Sequence, residues 1–274
     1  MSVNVPTPIR NAFRFVLPPS LGSENARDRA DKLLAFLQNA LGKQVEVSVA
    51  PSYEALAKDL LAGKVDAAWA PPFVCARTEA MGVRVLVRGV RLGMSSYRAA
   101  LVCRAGKRLS LERLKGTTAA WVDRDAVAGY LLPVAYLKSQ GIEPSRTFTA
   151  QHFTSSYRGA LEEVLSGAAD VAGVFCPPAS TGLSFSAGVE KVLGPKAADQ
   201  FELLAYTEEA PNDGVPVAMS VSAELASTLE STLLGLGESD EGKDLLKNVF
   251  SADRFEPAPR MGYRALYRVA LASL

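Results

Sequence analysis

Histidine is nearly missing from this chain, which has only His152, and cysteine is scarce, with Cys75, Cys103 and Cys176. One histidine with no CxxC or HxxxH spacing argues against a structural or catalytic zinc site, so no metal is expected. Three cysteines do not make a disulfide framework, and the odd number leans toward a reducing compartment. A surplus of either charge is also lacking, with 30 Lys and Arg against 29 Asp and Glu. Nucleic acids and anionic membranes need a strongly basic partner, so neither is expected. No apolar run approaches the roughly 20 residues of a membrane span, so no membrane insertion is expected. The N-terminal stretch MSVNVPTPIRNAF is polar and broken by Pro6 and Pro8, unlike the apolar core of a secretory leader. The expectation is a cytoplasmic protein; the alternative is a periplasmic one whose leader has been removed.

What is present is apolar material in alternating patterns. Of 274 residues, 48% are hydrophobic, enough for one large core or two modest ones. AFRFVLP at 12–18 reads as a buried strand. Residues 24–42 read as a helix with Leu33, Leu34, Leu37 and Leu41 on one stripe, Asn25 and Asp28 near its start and Gly42 at its end. VEVSV at 45–49 reads as the next strand, and VDAAWA at 65–70 follows another helix. Strand and helix in alternation predict mostly parallel sheets with helices on both faces.

An internal echo divides the chain. SYEALAKDLLAGKVDAAWAPP at 52–72 is answered by SYRGALEEVLSGAADVAGVFCPP at 156–178. Ser52 and Ser156 suit helix N-caps, and Gly63 and Gly167 suit the left-handed residue after a helix. Each unit ends on a Pro-Pro pair, so one helix-turn-strand module is expected in each half. SSYRAALVCR at 95–104 and PNDGVPVAMSVS at 211–222 read as extended connectors between halves, and 222–248 as a final helical stretch returning to the first. Two crossings of this kind can absorb hinge closure.

These segments resemble the phosphate, phosphite and phosphonate solute-binding proteins of ABC transporters. The likeness is carried by residues 50–72, by SSYRAALVCR and by LERLKGTTAAWVDRDAVAGYLLPVAYLKSQGIEP at 111–144. It continues through 153–172, 208–218 and 238–246. The resemblance implies a two-lobed type II periplasmic-binding fold, with mixed, mostly parallel sheets flanked by helices and two hinge crossovers. Lobe I would take 1–97 plus 216–274 and lobe II 98–215, with the ligand cleft between them. It implies a small-molecule ligand, an ABC permease as partner if the protein is exported, no cofactor and no catalytic residues.

The departures from the family pattern fall in its binding motifs. The family loop Ser-Thr-Ser-Gly-Tyr, whose hydroxyls and helix N-terminal amides hold anionic oxygens, reads Ala126, Val127, Ala128, Gly129, Tyr130 here. Each lost donor to a buried anion costs about 1.5–3 kcal/mol. The family Gly-Ser-His reads Ser155, Ser156, Tyr157, and an acidic residue that helps hold a ligand amine falls near Pro177. Tyr53 and Tyr97 match family tyrosines facing the cleft, and Asp213 matches an aspartate that meets the ligand amine. Trp69, Phe73, Tyr130 and Tyr157, with Trp121, would add aromatic surface, and Asp125 with Arg124 would gate the cleft or pair with the ligand. The expected ligand is therefore less anionic than a phosphonate, neutral or cationic and partly apolar.

Plainer readings stand beside these. Tyr53 and Tyr157 also suit local helix-start packing, Trp69 and Trp121 core packing, and Asp213 a Pro-Asn-Asp-Gly turn. Asp66 and Asp170 read as strand-edge supports, His152 as a surface or packed residue, Arg124 and Asp125 as a solvated turn, and Cys75 and Cys176 as small buried hydrophobes. Against the binding protein stand a lyase-like enzyme on the same fold and a cytoplasmic ligand sensor or regulator domain. Neither an acid-base pair at motif spacing nor a helix-turn-helix segment is visible in the sequence.

Overall fold

The computed structural model describes residues 12–19 and 26–267. Pro6, Pro8 and Asn25 fall outside them. In chain order the elements are β1 (Phe13–Leu17), α1 (Ala26–Leu41), β2 (Val45–Val49), α2 (Tyr53–Leu61), β3 (Ala67–Ala68), α3 (Pro72–Glu79), β4 (Arg84–Val90) and β5 (Ser96–Arg104). They continue with β6 (Thr118–Trp121), α4 (Leu132–Ser139), α5 (Pro144–Thr147), β7 (Ala150–Phe153), α6 (Tyr157–Ser166), β8 (Val171–Cys176), α7 (Phe185–Leu193) and β9 (Phe201–Pro211). Last come β10 (Gly214–Val217), α8 (Ala223–Leu234), α9 (Asp240–Leu245) and β11 (Arg254–Pro257).

The chain divides into two compact units. Unit 1 holds 1–93 and 213–261, and unit 2 holds 94–212 and 262–274. The chain passes between the units at 93–94, 212–213 and 261–262. That third passage has a packing reason. The Tyr263 side chain is fully buried in unit 2, and its hydroxyl donates to the Asn212 carbonyl at 2.7 Å.

Unit 1 is built on a six-stranded sheet in the order β11-β4-β10-β3-β1-β2. β2, β1 and β3 run parallel, while β10 is antiparallel to both β3 and β4. Phe13, Phe15 and Leu17 alternate along β1 into one core, where they meet Leu33 and Leu37 of α1 and Leu229 and Leu233 of α8. The helical stripe therefore faces the sheet as its spacing predicts. The stretch 222–248 is not one helix. α8 gives way to a tight 235–238 turn, and Ser239 caps α9 by accepting from Gly242 N at 3.0 Å. Gly235 and Gly237 in that turn are poor helix formers, which explains the break.

Unit 2 is built on a five-stranded sheet, β7-β6-β8-β5-β9. β7, β6 and β8 are parallel, and β5 is antiparallel to β8 and β9. Both faces are buried. Ala100 and Val102 of β5 enter one core with Leu161 and Val164 of α6, while Leu101 and Cys103 enter another with Trp121 and Leu137. A strand covered on both faces reads as a continuous apolar run, which is why AALVC does not alternate. In each unit a parallel trio is extended by antiparallel strands, so the sheets are mixed. The parallel share is smaller than alternation suggests, because the extended connectors at 95–104 and 211–222 join the sheets as β5 and β10.

The echoed modules have the same construction. Ser52 Oγ accepts from Ala55 N at 3.0 Å, and Ser156 Oγ accepts from Gly159 N at 3.0 Å. Gly63 and Gly167, at φ of 62° and 83°, take the left-handed turn that ends each helix.

Candidate functional site

In unit 1 three parallel strands end at one edge. β1 is followed by Pro18, β3 by Trp69 and β4 by Arg91, while β10 runs the other way and begins just after Asp213. Open α/β sheets bind ligands at the carboxyl ends of their strands. A cavity of about 190 Å³ lies at this edge, lined by Trp69, Arg91 and Asp213 together with Arg29, Phe250 and Ser251.

The cavity wall is organised around an ion pair. Nη2 of Arg91 donates to Oδ2 of Asp213. Nε of Arg91 donates to the Ser251 carbonyl at 2.7 Å, and Nη2 also reaches the Phe250 carbonyl at 3.4 Å. Ser251 turns the chain at φ 49°, the left-handed region. Trp69 backs the pair. It is 4% exposed, meets Phe250 and Phe255 edge-on at 5.3 and 5.5 Å, and lies 6.0 Å from the Arg91 guanidinium. Trp69 thus combines core packing with a place on the cavity wall. Tyr53, the first residue of α2, and Phe73, buried in α3, are in the same unit but do not line this cavity.

In unit 2 the loop after β6 carries the rewritten motif. Asp123 Oδ1 accepts from Asp125 N at 2.9 Å, which makes Asp125 part of an exposed turn, and Arg124 lies over the Phe153 ring at 4.6 Å. Ala126 caps a wide helical turn, Val127–Leu131, that runs straight into α4. Val127 and Ala128 are buried. The turn is pressed against its surroundings at two glycines. A Cβ on Gly129 would lie 2.5 Å from Cγ2 of Val122, and one on Gly173 of β8 would lie 2.9 Å from the Ala128 carbonyl oxygen. Close approach, not a positive φ, is what demands glycine there.

The aromatic residues of unit 2 pack with one another. Tyr130 meets Trp121 and Phe153 edge-on at 5.7 and 5.4 Å. Tyr157, the first residue of α6, meets Phe175 at 5.3 Å, and burial pushes its phenol up to about 12. Tyr97 lies on β5 opposite Ala210 of β9. Trp121 is fully buried and donates from Nε1 to Gln151 Oε1 at 2.9 Å, a core role. His152 Nδ1 and Glu163 Oε2 are 2.7 Å apart in a half-exposed pair. All three cysteines are buried, and burial raises the Cys103 and Cys176 thiols above their ordinary values.

The family model of the phosphonate-binding, periplasmic substrate-binding protein of ABC transporters matches residues 15–263. The chain belongs to this family. As a member of it, the chain is a solute-binding component of ABC-transporter type, and its mixed sheets follow the family fold. Solved structures agree on that fold. A Xanthomonas citri protein bound to ATP superposes with a TM-score of 0.79 at 18% identity, over 96% of this chain and 98% of that one. A binding-protein component of a Pseudomonas aeruginosa ABC phosphonate transporter gives 0.67 at 20% identity, over 95% and 86%. PhnD1 of Prochlorococcus marinus in complex with methylphosphonate gives 0.67 at 17% identity, over 96% and 98%. Among the described residues, no helix of this family member is long and apolar enough to cross a membrane.

Of the candidate residues chosen from the sequence, Trp69 and Asp213 line this cavity; Arg91, Arg29 and Ser251, also on its wall, were not among them. Arg91 follows β4 directly, but that strand already holds Arg84 and Arg88, so its charge does not stand out in the sequence.

Proposed function

We propose that this chain binds a small solute less anionic than a phosphonate, with an ABC permease as its partner where it is exported. The observation that carries the reading is the turn at 126–128. Its side chains are Ala, Val and Ala, and Val127 and Ala128 are packed inward, so none of the three offers a hydroxyl to an anion. The first backbone N–H groups of the helical run remain as the anion-facing donors, since a helix start has no internal acceptors for them. Amide donors without hydroxyls suit a carboxylate or an uncharged polar group better than a doubly charged phosphonate.

The ligand-facing set in this reading is Tyr53, Tyr97 and Asp213, with Trp69, Phe73 and Tyr130 as apolar surface and Asp125 at the loop entrance. Tyr157 contributes its ring, and its buried phenol stays neutral. The ATP and methylphosphonate seen in related structures mark what those proteins bind.

A melting-temperature screen of small carboxylates, polyols, amino acids and phosphonates tests the proposal, because a solute that binds only the folded chain stabilises it by mass action. The largest shift is expected outside the phosphonates. A methylphosphonate shift exceeding all others would refute it.

A further inference from the structure

Pro211 ends β9 opposite Ser96 of β5 and has no N–H to give, so the next bond between these strands falls to the following residue. The Asn212 N–H donates to the Ser95 carbonyl at 2.9 Å. Its side-chain Nδ2 donates to the Met94 carbonyl at 2.8 Å, and its own carbonyl accepts from the Tyr263 hydroxyl at 2.7 Å. All four residues belong to unit 2, where the chain enters at Met94, leaves after Asn212 and returns at 262. The three chain ends of this unit therefore meet on one residue. Asn212 is 4% exposed and Tyr263 is fully buried, so water does not replace a partner that is lost. Asparagine suits the place, because its amide donates to a carbonyl that an ionised aspartate would repel. Asp213, next in the chain, is held within unit 1, by Arg91 at its carboxylate and by the Gly89 N–H at its carbonyl, 2.9 Å away.

We infer that Asn212 is a conformational lock in unit 2, through which the chain ends at 94–96, 209–212 and 262–267 loosen together as one cooperative group. Chain ends fray singly unless something ties them down. Here the tie is shared. Losing one of its bonds leaves a buried group unpaired beside the others, so the bonds support one another. The lock concerns the conformation of unit 2 and is independent of which solute the chain binds.

The test is amide hydrogen exchange of the full chain, read by mass spectrometry on peptides covering the three ends. A peptide over β6, inside the same sheet between β7 and β8, is the control. Tyr263→Phe keeps the ring and removes only the hydroxyl. It is expected to speed exchange at all three ends about fivefold or more and to leave β6 unchanged. Asn212→Ala removes the bond to Met94 and keeps the backbone ones. It is expected to speed exchange about tenfold or more, at 262–267 as well, although Tyr263 lies 51 residues further along the chain. The double variant is expected to add little to Asn212→Ala, since both act on one lock. The inference is overturned if Tyr263→Phe leaves 94–96 as protected as before, if Asn212→Ala leaves 262–267 so, or if the two effects simply add. Should either variant expose β6, that variant has unfolded the unit and the other decides. Should both do so, the unaltered chain decides in rising urea below its unfolding transition. There the three ends are expected to open along one common curve, and three separate curves overturn the inference.

Discussion

Asp66 and Asp170 make the same pair of hydrogen bonds in the two units. Asp66 Oδ2 accepts from Arg14 N at 2.8 Å while its own N–H donates to the Arg14 carbonyl at 3.0 Å. Asp170 Oδ2 accepts from Thr118 N at 2.7 Å, and its N–H donates to the Thr118 carbonyl at 2.8 Å. Each aspartate precedes a strand and stitches it to the start of its parallel neighbour, β3 to β1 and β8 to β6. The sequence echo is thus a structural repeat, and both carboxylates support their strands.

Asp170 should therefore make unit 2 acid-sensitive. Burial alone would raise its carboxyl, but Lys107 and the Thr118 amide outweigh burial and hold it below its ordinary value. A depressed folded-state value contributes stability that is present above the unfolded carboxylate range and lost as pH falls through the folded value. Asp170→Asn should flatten this acid limb in melting curves taken from pH 6 down to about pH 3. Asp170→Ala, which also leaves the Thr118 amide without its acceptor, should cost about 1–3 kcal/mol at neutral pH.

Tyr157 should resist titration. Its phenol is raised to about 12 by burial, so stability tied to its neutral form holds below the ordinary phenol range and is lost as pH rises through the raised value. Absorbance at the phenolate band should show one tyrosine fewer ionising near pH 10 than in Tyr157→Phe plus one free tyrosine. Tyr157→Phe should keep the ring contact with Phe175 and remain folded.

Close backbone approach makes some glycines irreplaceable at negative φ. A Cβ on Gly188 would lie 1.9 Å from the Phe175 carbonyl oxygen, where α7 crosses β8. Gly188→Ala should destabilise by about 1–3 kcal/mol or prevent folding. Gly141→Ala, at φ 75° with open space around it, should cost only the strain of a left-handed alanine, about 1 kcal/mol. Urea melts of the two variants compare them directly.

Much of the fold was readable because the signals are local. Spacing placed β2 at its observed bounds, put Leu33 and Leu37 inward, and marked Ser52, Ser156, Gly63 and Gly167 as helix ends. The mixed character of the sheets was less readable, since β10 joins its partners through contacts far apart in sequence. The site was least readable for the same reason. Arg91 and Asp213 are separated by 122 residues, so no motif announces that one neutralises the other. The Ala126–Ala128 turn was visible as a departure from the family pattern, but its packing against Val122 and Gly173 depends on the folded sheet.

The central claim is that the Ala-Val-Ala turn has removed tight phosphonate recognition from a family scaffold. Calorimetry with methylphosphonate and phosphate, on the unaltered chain and on a variant carrying Ala126→Ser, Val127→Thr and Ala128→Ser, tests it most directly. The account predicts no micromolar binding by the unaltered chain, and a gain in the variant of about tenfold or more for each hydroxyl that reaches the anion. Micromolar or tighter binding of either ligand by the unaltered chain would contradict it.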